Sequence, residues 1–386
     1  MLEITSPSII HCGAGGFAKI AGEAARLGER AVVVTGSHLR GSERVASLVH
    51  AIDAVVAEPI TSEPTVEMVD ELAAFIRANE GDVVIAVGGG SVMDCAKAAA
   101  MMATNEGTTE DYQLKRREIA NPPIAQVFAP TTAGTGSEAT RVSVLTNTRV
   151  GVKRSISHPL MTPDVVILDP DLTVSCSNYL TTITAMDAFS HAIESAVSTN
   201  SNAYTRHIAL AAIEQLAGGL PRCQAEPNNF DARLACLMGA CLAGLAMQQG
   251  MGASHSLAPA VCIVSGIRHS EAVAALLPHS IRLNLRDAPN AYDEVKRAII
   301  PPGMRPTIPP GIDTWRDGSD DPVSKLQELC ASGGFACGLS RFGLKPSDWP
   351  EVREVMSRYA SHRKTNAVEV TDAYAEELFR LAVDSG

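Results

Sequence analysis

Short apolar runs alternate with stretches of helical spacing along the first half of the chain. AVVVT (31–35) ends in a loop of small residues and is followed by a helical pattern through Val49. DAVVAEPI comes next, then an amphipathic stretch from Thr65 to Ala78. DVVIAVGGGS (82–91) runs from apolar residues into glycines, and VMDCAKAAAMMA after it has helical character. IAQVFAPTTAGTGSEAT repeats the order of strand then glycine, and VVILDPDLT (165–173) closes the region. A continuous apolar run of this length suits a strand buried on both faces. The alternation predicts an α/β domain, a doubly wound and mostly parallel sheet with helices on both sides. VSVLTNTRVGVKRSI, between Arg141 and Ile156, predicts a hairpin interrupting that order.

After about Leu180 the texture changes. TTITAMDAFSHAIESAVS, RHIALAAIEQLAGGL, ARLACLMGACLAGLAMQQGM, SKLQELCASGGF and DAYAEELFRLAV all carry helical periodicity with many small residues. The expectation is an α/β domain over 1–178 and an all-α domain over 179–386. The segment from Pro301 to Asp321, rich in Pro, Gly and Asp, predicts a surface loop.

Composition narrows the function classes. With 46% hydrophobic and 19% charged residues in 386, the chain suits a globular enzyme of two domains. A net charge of -11 and the lack of any basic run argue against nucleic acid as a partner. MLEITSPSIIHCGAGG lacks the pattern of a signal peptide, and no stretch of eighteen apolar residues predicts a membrane span. Nine cysteines without CxxC pairs read as reduced thiols, so a cytoplasmic setting is expected.

Two features carry candidate chemistry. Gly88-Gly89-Gly90-Ser91 lies where a strand gives way to a helix. There, glycines let backbone amides approach a diphosphate, and the helix adds its positive end. GGGS alone also fits a tight turn with no ligand. Thr131-Thr132-Ala133-Gly134-Thr135-Gly136-Ser137 is a second such turn after the next strand, and together they would line one crevice. No GxGxxG follows the first strand, so the ordinary Rossmann fingerprint is absent. Asp187 and His191, four residues apart, face one side of a helix, a spacing also common on helix surfaces. With His255 and His269 they would offer one carboxylate and three imidazoles to a borderline divalent ion such as Fe²⁺ or Zn²⁺.

GGGSVMDCAK, PTTAGTGSEAT, DPDLT, DAFSHAIES, the His255–His269 region and NAVEVTDA occur in an order that strongly resembles the iron-containing (group III) alcohol dehydrogenase family, over essentially the whole chain. The resemblance implies that family's architecture, shared with dehydroquinate synthase-like folds. It consists of a dinucleotide-binding α/β domain and a helical domain, with the active site in the cleft between them. It implies Asp187, His191, His255 and His269 as metal ligands, and through the metal as catalytic residues. Gly89, Gly90, Ser91 and Asp94 correspond to its diphosphate motif; Thr131, Thr132, Thr135 and Ser137 to its second cofactor loop; Lys153 to a lysine near the ribose. The implied activity is hydride transfer between NAD(H) or NADP(H) and a small alcohol, aldehyde or ketone, in a homo-oligomer such as a dimer.

Two departures stand out. Many relatives end the strand before the adenosine site in Asp, where this chain has Gly36. Without that carboxylate a 2′-phosphate is not repelled, and Ser37, His38 and Arg40 are nearby partners, so NADPH is expected to be accepted. A glycine chosen for turn geometry alone would leave the phosphate equally unopposed. Second, Pro259 replaces the second His of an HxxxH pattern, so water, a substrate group or another residue such as His279 would have to carry the proton, unless the pocket is rebuilt for an unusual substrate. Rival readings are maleylacetate reductase, hydroxyacid–oxoacid transhydrogenase, or reduction of a phosphonate- or sulfonate-bearing aldehyde, with Arg141, Arg268 and Arg282 as anion partners. From another class come dehydroquinate synthase-like cyclisation or elimination, and a binding protein without turnover.

Overall fold

The computed structural model describes residues 3–300, 321–358 and 362–385, so 301–320 of the expected loop lies outside the described residues. The chain forms two compact units, 1–174 and 175–386. The boundary expected at 178 falls at the first residue of a helix, Asn178.

In the first unit the order is β1 (Ile9–Cys12), α1 (Lys19–Leu27), β2 (Ala31–Thr35), α2 (Ser37–Arg40), α3 (Glu43–Ala51), β3 (Ala54–Val56), α4 (Val66–Ala78), β4 (Val83–Gly88), α5 (Gly90–Thr104), α6 (Thr109–Gln113), β5 (Ala125–Pro130), β6 (Val142–Asn147), β7 (Val152–Ser157) and β8 (Val165–Leu168). Six strands pair in the order β1-β8-β5-β4-β2-β3, all parallel, and β6 and β7 form the expected antiparallel hairpin. Strand β1 was not foreseen. It sits at the sheet edge with only alternate residues partly covered, so IIHC carries no continuous apolar signal.

Strands β2, β4 and β8 are buried along their whole length. Val32, Val34, Val84, Ala86 and Phe128 pack into one core, while Ala31, Val33, Val83, Ile85, Val87 and Val127 pack into the other. Each buried Val or Ile contributes on the order of 1.5–3 kcal/mol of transfer free energy. Thr65 caps α4, its hydroxyl accepting from the Met68 amide at 3.2 Å. Thr35 is in register with Val87, and Gly88 with Pro130, so β2, β4 and β5 end together. Their loops therefore open on the same edge of the sheet, where ligands of such sheets bind.

The second unit contains α7 (Asn178–Ala196), α8 (Ala203–Ala225), α9 (Phe230–Ala246), α10 (Ala253–Ser265), α11 (His269–Asp287), α12 (Asp293–Ala298), α13 (Pro322–Ser332), α14 (Trp349–Ser357) and α15 (Asp372–Asp384), with no strand among the described residues. Small residues set the helix spacing. A Cβ on Gly239 would meet Leu216 Cγ at 2.7 Å, and one on Gly219 would meet Cys236 Sγ at 3.0 Å, so α8 and α9 approach closely. Phe230–Gln249 is long and apolar enough to cross a membrane by length and composition, but 61% of its apolar window is buried inside the fold. It packs on α7 and α8 as a core helix.

Candidate metal centre and cofactor turns

Helix α7 presents Asp187 and His191 one turn apart, and α10 and α11 bring His255 and His269 to the same carboxylate. Asp187 Oδ1 lies 3.9 Å from His191 Nε2, 3.7 Å from His255 Nε2 and 3.9 Å from His269 Nε2. The ligand atoms of Asp187, His191 and His255 all lie within 4.8 Å of one another. The rings of His191 and His255 stack at 4.6 Å. Those three side chains are buried, whereas that of His269 is 30% exposed, which leaves one open side.

Asp187 Oδ1 and His255 Nε2 are buried without a hydrogen-bond partner among the described residues. Two such atoms facing each other are costly unless something sits between them. Ligand atoms each roughly 2.1 Å from one ion are about 3.0–3.5 Å apart, so a divalent cation would draw this set together only slightly. Burial works against the Asp187 carboxylate, yet His191, His255 and His269 hold its pKa far below the ordinary value. The donor set fits a divalent metal.

Sequence reasoning missed the residue that orients this set. Glu194, seven residues after Asp187 and so on the same helix face, lies 2.8 Å from His255 Nδ1. Its oxygens also accept from the Gly252 amide at 2.8 Å and the Ser254 amide at 2.7 Å. With Nδ1–H donated to Glu194, His255 turns the lone pair of Nε2 towards the other ligands. Behind it, Asn366 Oδ1 accepts from the Ala253 amide at 3.3 Å, and Asn284 links Asn366, Tyr292 and Tyr374. Burial pushes the pKa of His362 down to about 4.

The two glycine turns approach each other closely. A Cβ on Gly90 would lie 2.6 Å from Thr135 Cγ2, and one on Gly89 would lie 3.4 Å from Thr132 Oγ1, so side chains there would separate the turns. The Thr131 amide donates to Gly88 O at 3.0 Å. No side chain caps the first turn of α5, which begins at Gly90 and carries Ser91. Gly136, at φ 62°, makes the left-handed bend before Ser137. Asp94 and Ser137 face each other, Ser137 Oγ donating to Asp94 Oδ1 at 2.5 Å. Lys153 Nζ lies 2.8 Å from Glu63 Oε1. Gly36 has φ −79°, and a Cβ there would meet Ile60 O at 3.7 Å and Val92 Cγ2 at 3.9 Å. Backbone geometry therefore does not require glycine, which removes the turn-geometry explanation. Ser37 begins α2, and Arg40 at its end holds Glu58, Nη2 to Oε1 at 2.7 Å.

Residues 7–170 match the model of iron-containing alcohol dehydrogenases, and 181–383 match the C-terminal model of the same family. The chain belongs to the iron-containing alcohol dehydrogenase family. It is 31% identical to 1,3-propanediol dehydrogenase of Citrobacter freundii over 396 aligned positions, covering 99% of each chain. Among solved structures, a 1,3-propanediol oxidoreductase superposes with TM-score 0.89 at 29% identity, covering 99% of this chain and 100% of that one. The sulfoacetaldehyde reductase of Bifidobacterium kashiwanohense, solved in complex with NAD⁺, gives TM-score 0.86 at 28% identity over all of both chains. Members of this family are alcohol and aldehyde oxidoreductases, and the fold and chemistry expected from the sequence agree with that membership.

Within the family frame, Pro259 lies inside α10, one turn beyond His255, and has no titratable group. His279 does not replace it. Ten residues beyond His269 on α11, it is about 15 Å further along the helix. Its Nε2 lies 2.9 Å from Ser385 Oγ, and burial together with Arg282 pushes its pKa down to about 4. Arg141 pairs with Glu3 at 3.2 Å, while Arg268 and Arg282 are exposed.

Proposed function

We propose that the protein is an NAD(P)-linked, metal-dependent alcohol dehydrogenase that interconverts a small alcohol and its aldehyde or ketone. The observation that carries the reading is the convergence of three histidine Nε2 atoms on Asp187 Oδ1, two of the four atoms being buried without a hydrogen-bond partner among the described residues. Asp187, His191, His255 and His269 hold the ion, and Glu194 fixes the His255 tautomer. When bound, a divalent ion, Fe²⁺ or Zn²⁺, supplies a Lewis acid for the carbonyl oxygen, and the nicotinamide supplies or accepts the hydride. Gly89, Gly90 and Ser91 offer amides to the diphosphate, with Thr131, Thr132 and Thr135 on the facing turn. Asp94 and Ser137 support these turns from beneath, and Lys153 approaches the ribose once Glu63 yields it.

The exposed side of His269 is where the carbonyl enters, and the proton exchanged with the alcohol comes from solvent, since neither Pro259 nor His279 carries one there. With glycine in place of a carboxylate at position 36, a 2′-phosphate meets no repulsion there, and Ser37, His38 and Arg40 lie within the same turn, so NADPH is used. The nine free cysteines support a reducing, cytoplasmic setting, and the family resemblance supports a homodimer.

The test is a panel of small aldehydes and ketones, including carboxylate-, phosphonate- and sulfonate-bearing ones, offered with NADPH and NADH after loading with Fe²⁺ or Zn²⁺. Metal-dependent oxidation of NAD(P)H is expected. Absence of oxidation with every carbonyl would overturn the reading; turnover without net cofactor consumption would favour transhydrogenation where a second carbonyl is reduced, and cyclisation or elimination where none is.

A further inference from the structure

The helical unit holds a pair of thiols to which the proposed chemistry gives no part. Cys223, in the last turn of α8, and Cys236, on α9, bring their sulfurs to 3.7 Å, and both side chains are buried. A Cβ on Gly219, one turn before Cys223, would meet Cys236 Sγ at 3.0 Å, so the bare glycine gives that sulfur its seat against α8. Arg233, one turn before Cys236 on α9, is buried as well, and its guanidinium donates to Pro227 O at 2.8 Å and Thr181 Oγ1 at 2.9 Å. Residues 226–229 join the two helices, and Glu226, Pro227 and Asn228 are exposed. The thiols are thus covered, yet they lie close to the open end of their hairpin, where local unfolding admits a small solute.

Their geometry and chemistry suit more than packing. A disulfide brings its sulfurs to about 2.05 Å, so closure from contact moves each by about 0.8 Å, within reach of rotation about its Cα–Cβ bond. The two thiols also differ. Cys236 donates a hydrogen bond to Cys223, which lowers the Cys223 pKa with the help of Arg233 and Arg222. The same bond, together with burial, raises Cys236. Burial instead raises Cys12, Cys95 and Cys176. The thiolate is the form that attacks an oxidant, and a nearby cation favours it.

We propose that Cys223 and Cys236 are a peroxide-sensitive pair that closes to a reversible disulfide across the α8–α9 hairpin. Cys223 Sγ, as thiolate, attacks one oxygen of hydrogen peroxide. An S–O bond forms, the O–O bond breaks, and the hydroxide released takes up a proton to leave as water. The Cys236 sulfur then attacks Cys223 Sγ, forming S–S and breaking S–O, and its thiol proton departs with that oxygen as a second water. Two thiols lose two electrons, and one peroxide becomes two waters. A resolving thiol in contact halts oxidation at this stage, before sulfinic acid, and a dithiol reductant restores the pair by exchange. The metal ligands lie on α7, α10 and α11, so the bridge forms whether or not an ion is bound.

The test treats the native folded protein with a small excess of hydrogen peroxide, alkylates the remaining thiols and maps the peptides by mass spectrometry. A Cys223–Cys236 link is expected, with a rise in Tm of about 4 °C or more, and dithiothreitol should reverse both. In Cys236→Ala the Cys223 sulfenic acid has no resolving partner and should be trapped by dimedone. Peroxide that oxidises other cysteines and leaves this pair as thiols, a link formed only in urea-unfolded protein, or native Cys223 carried on to sulfinic acid would overturn the proposal. The native measurements decide the matter by themselves if Cys236→Ala does not fold.

Discussion

Both units enclose carboxylates in polar clusters, and they satisfy them in opposite ways. In the first unit, Asp94 has a donor on each oxygen and Lys97 has acceptors on every side. In the second, Glu194 is equally well supplied, but it serves to aim His255 at a point where Asp187 Oδ1 and His255 Nε2 have no hydrogen-bond partner among the described residues. A saturated cluster is scaffold, because nothing more can be added without losing a hydrogen bond. A cluster whose donor atoms converge unsatisfied is a place for an ion. What separates the two clusters is where the lone pairs point.

If that distinction holds, substitutions in the unsatisfied cluster should cost the most. His255→Ala removes a buried ligand and should lower kcat/KM by about a thousandfold or more, measured as NAD(P)H oxidation at saturating metal. Glu194→Gln keeps the shape and a hydrogen bond but removes the charge that fixes the ring. Its metal affinity, measured by competition with a chelator, should fall about 10- to 100-fold, with activity restored by excess ion. An unchanged affinity would make Glu194 scaffold like Asp94 and erase the contrast. Lys97→Met, in the saturated cluster, removes buried hydrogen bonds to the Ser137 and Val142 carbonyls and should lower the melting temperature by several degrees while leaving metal affinity alone, a split that reverses the Glu194 result. The smallest effect is expected at Gly36→Asp, for which the structure has room. It should lower kcat/KM with NADPH about tenfold relative to NADH, or about 1.4 kcal/mol. An unaltered ratio would show that the 2′-phosphate does not lie there.

The same contrast explains what could be read from the sequence. Strands β2, β4, β5 and β8 are legible because continuous Val- and Ile-rich runs signal burial on both faces, and both glycine turns follow directly from them. Edge strand β1 is not, since only half of each edge residue's surroundings is protein. His255 and His269 lie on two helices far from Asp187 in sequence, and residue spacing alone cannot join them; family motifs had to. Glu194 was within reach, as Asp187, His191 and Glu194 follow the i, i+4, i+7 rule of one helix face. Lys97 and Glu138 were hidden by type, because charged residues inside apolar or small-residue runs are ordinarily read as solvated. His279 misled for a related reason: a histidine on the ligand helix looks available until its own partner, Ser385, is seen.

The claim that Asp187 and the three histidines form a metal centre is tested most directly by elemental analysis of purified protein after loading with Fe²⁺ or Zn²⁺, beside Asp187→Asn treated identically. The account predicts about one tightly held ion per native chain, close to none in the variant, and NAD(P)H oxidation that tracks ion content. Full turnover by protein that holds no metal, or equal metal content in Asp187→Asn, would contradict it.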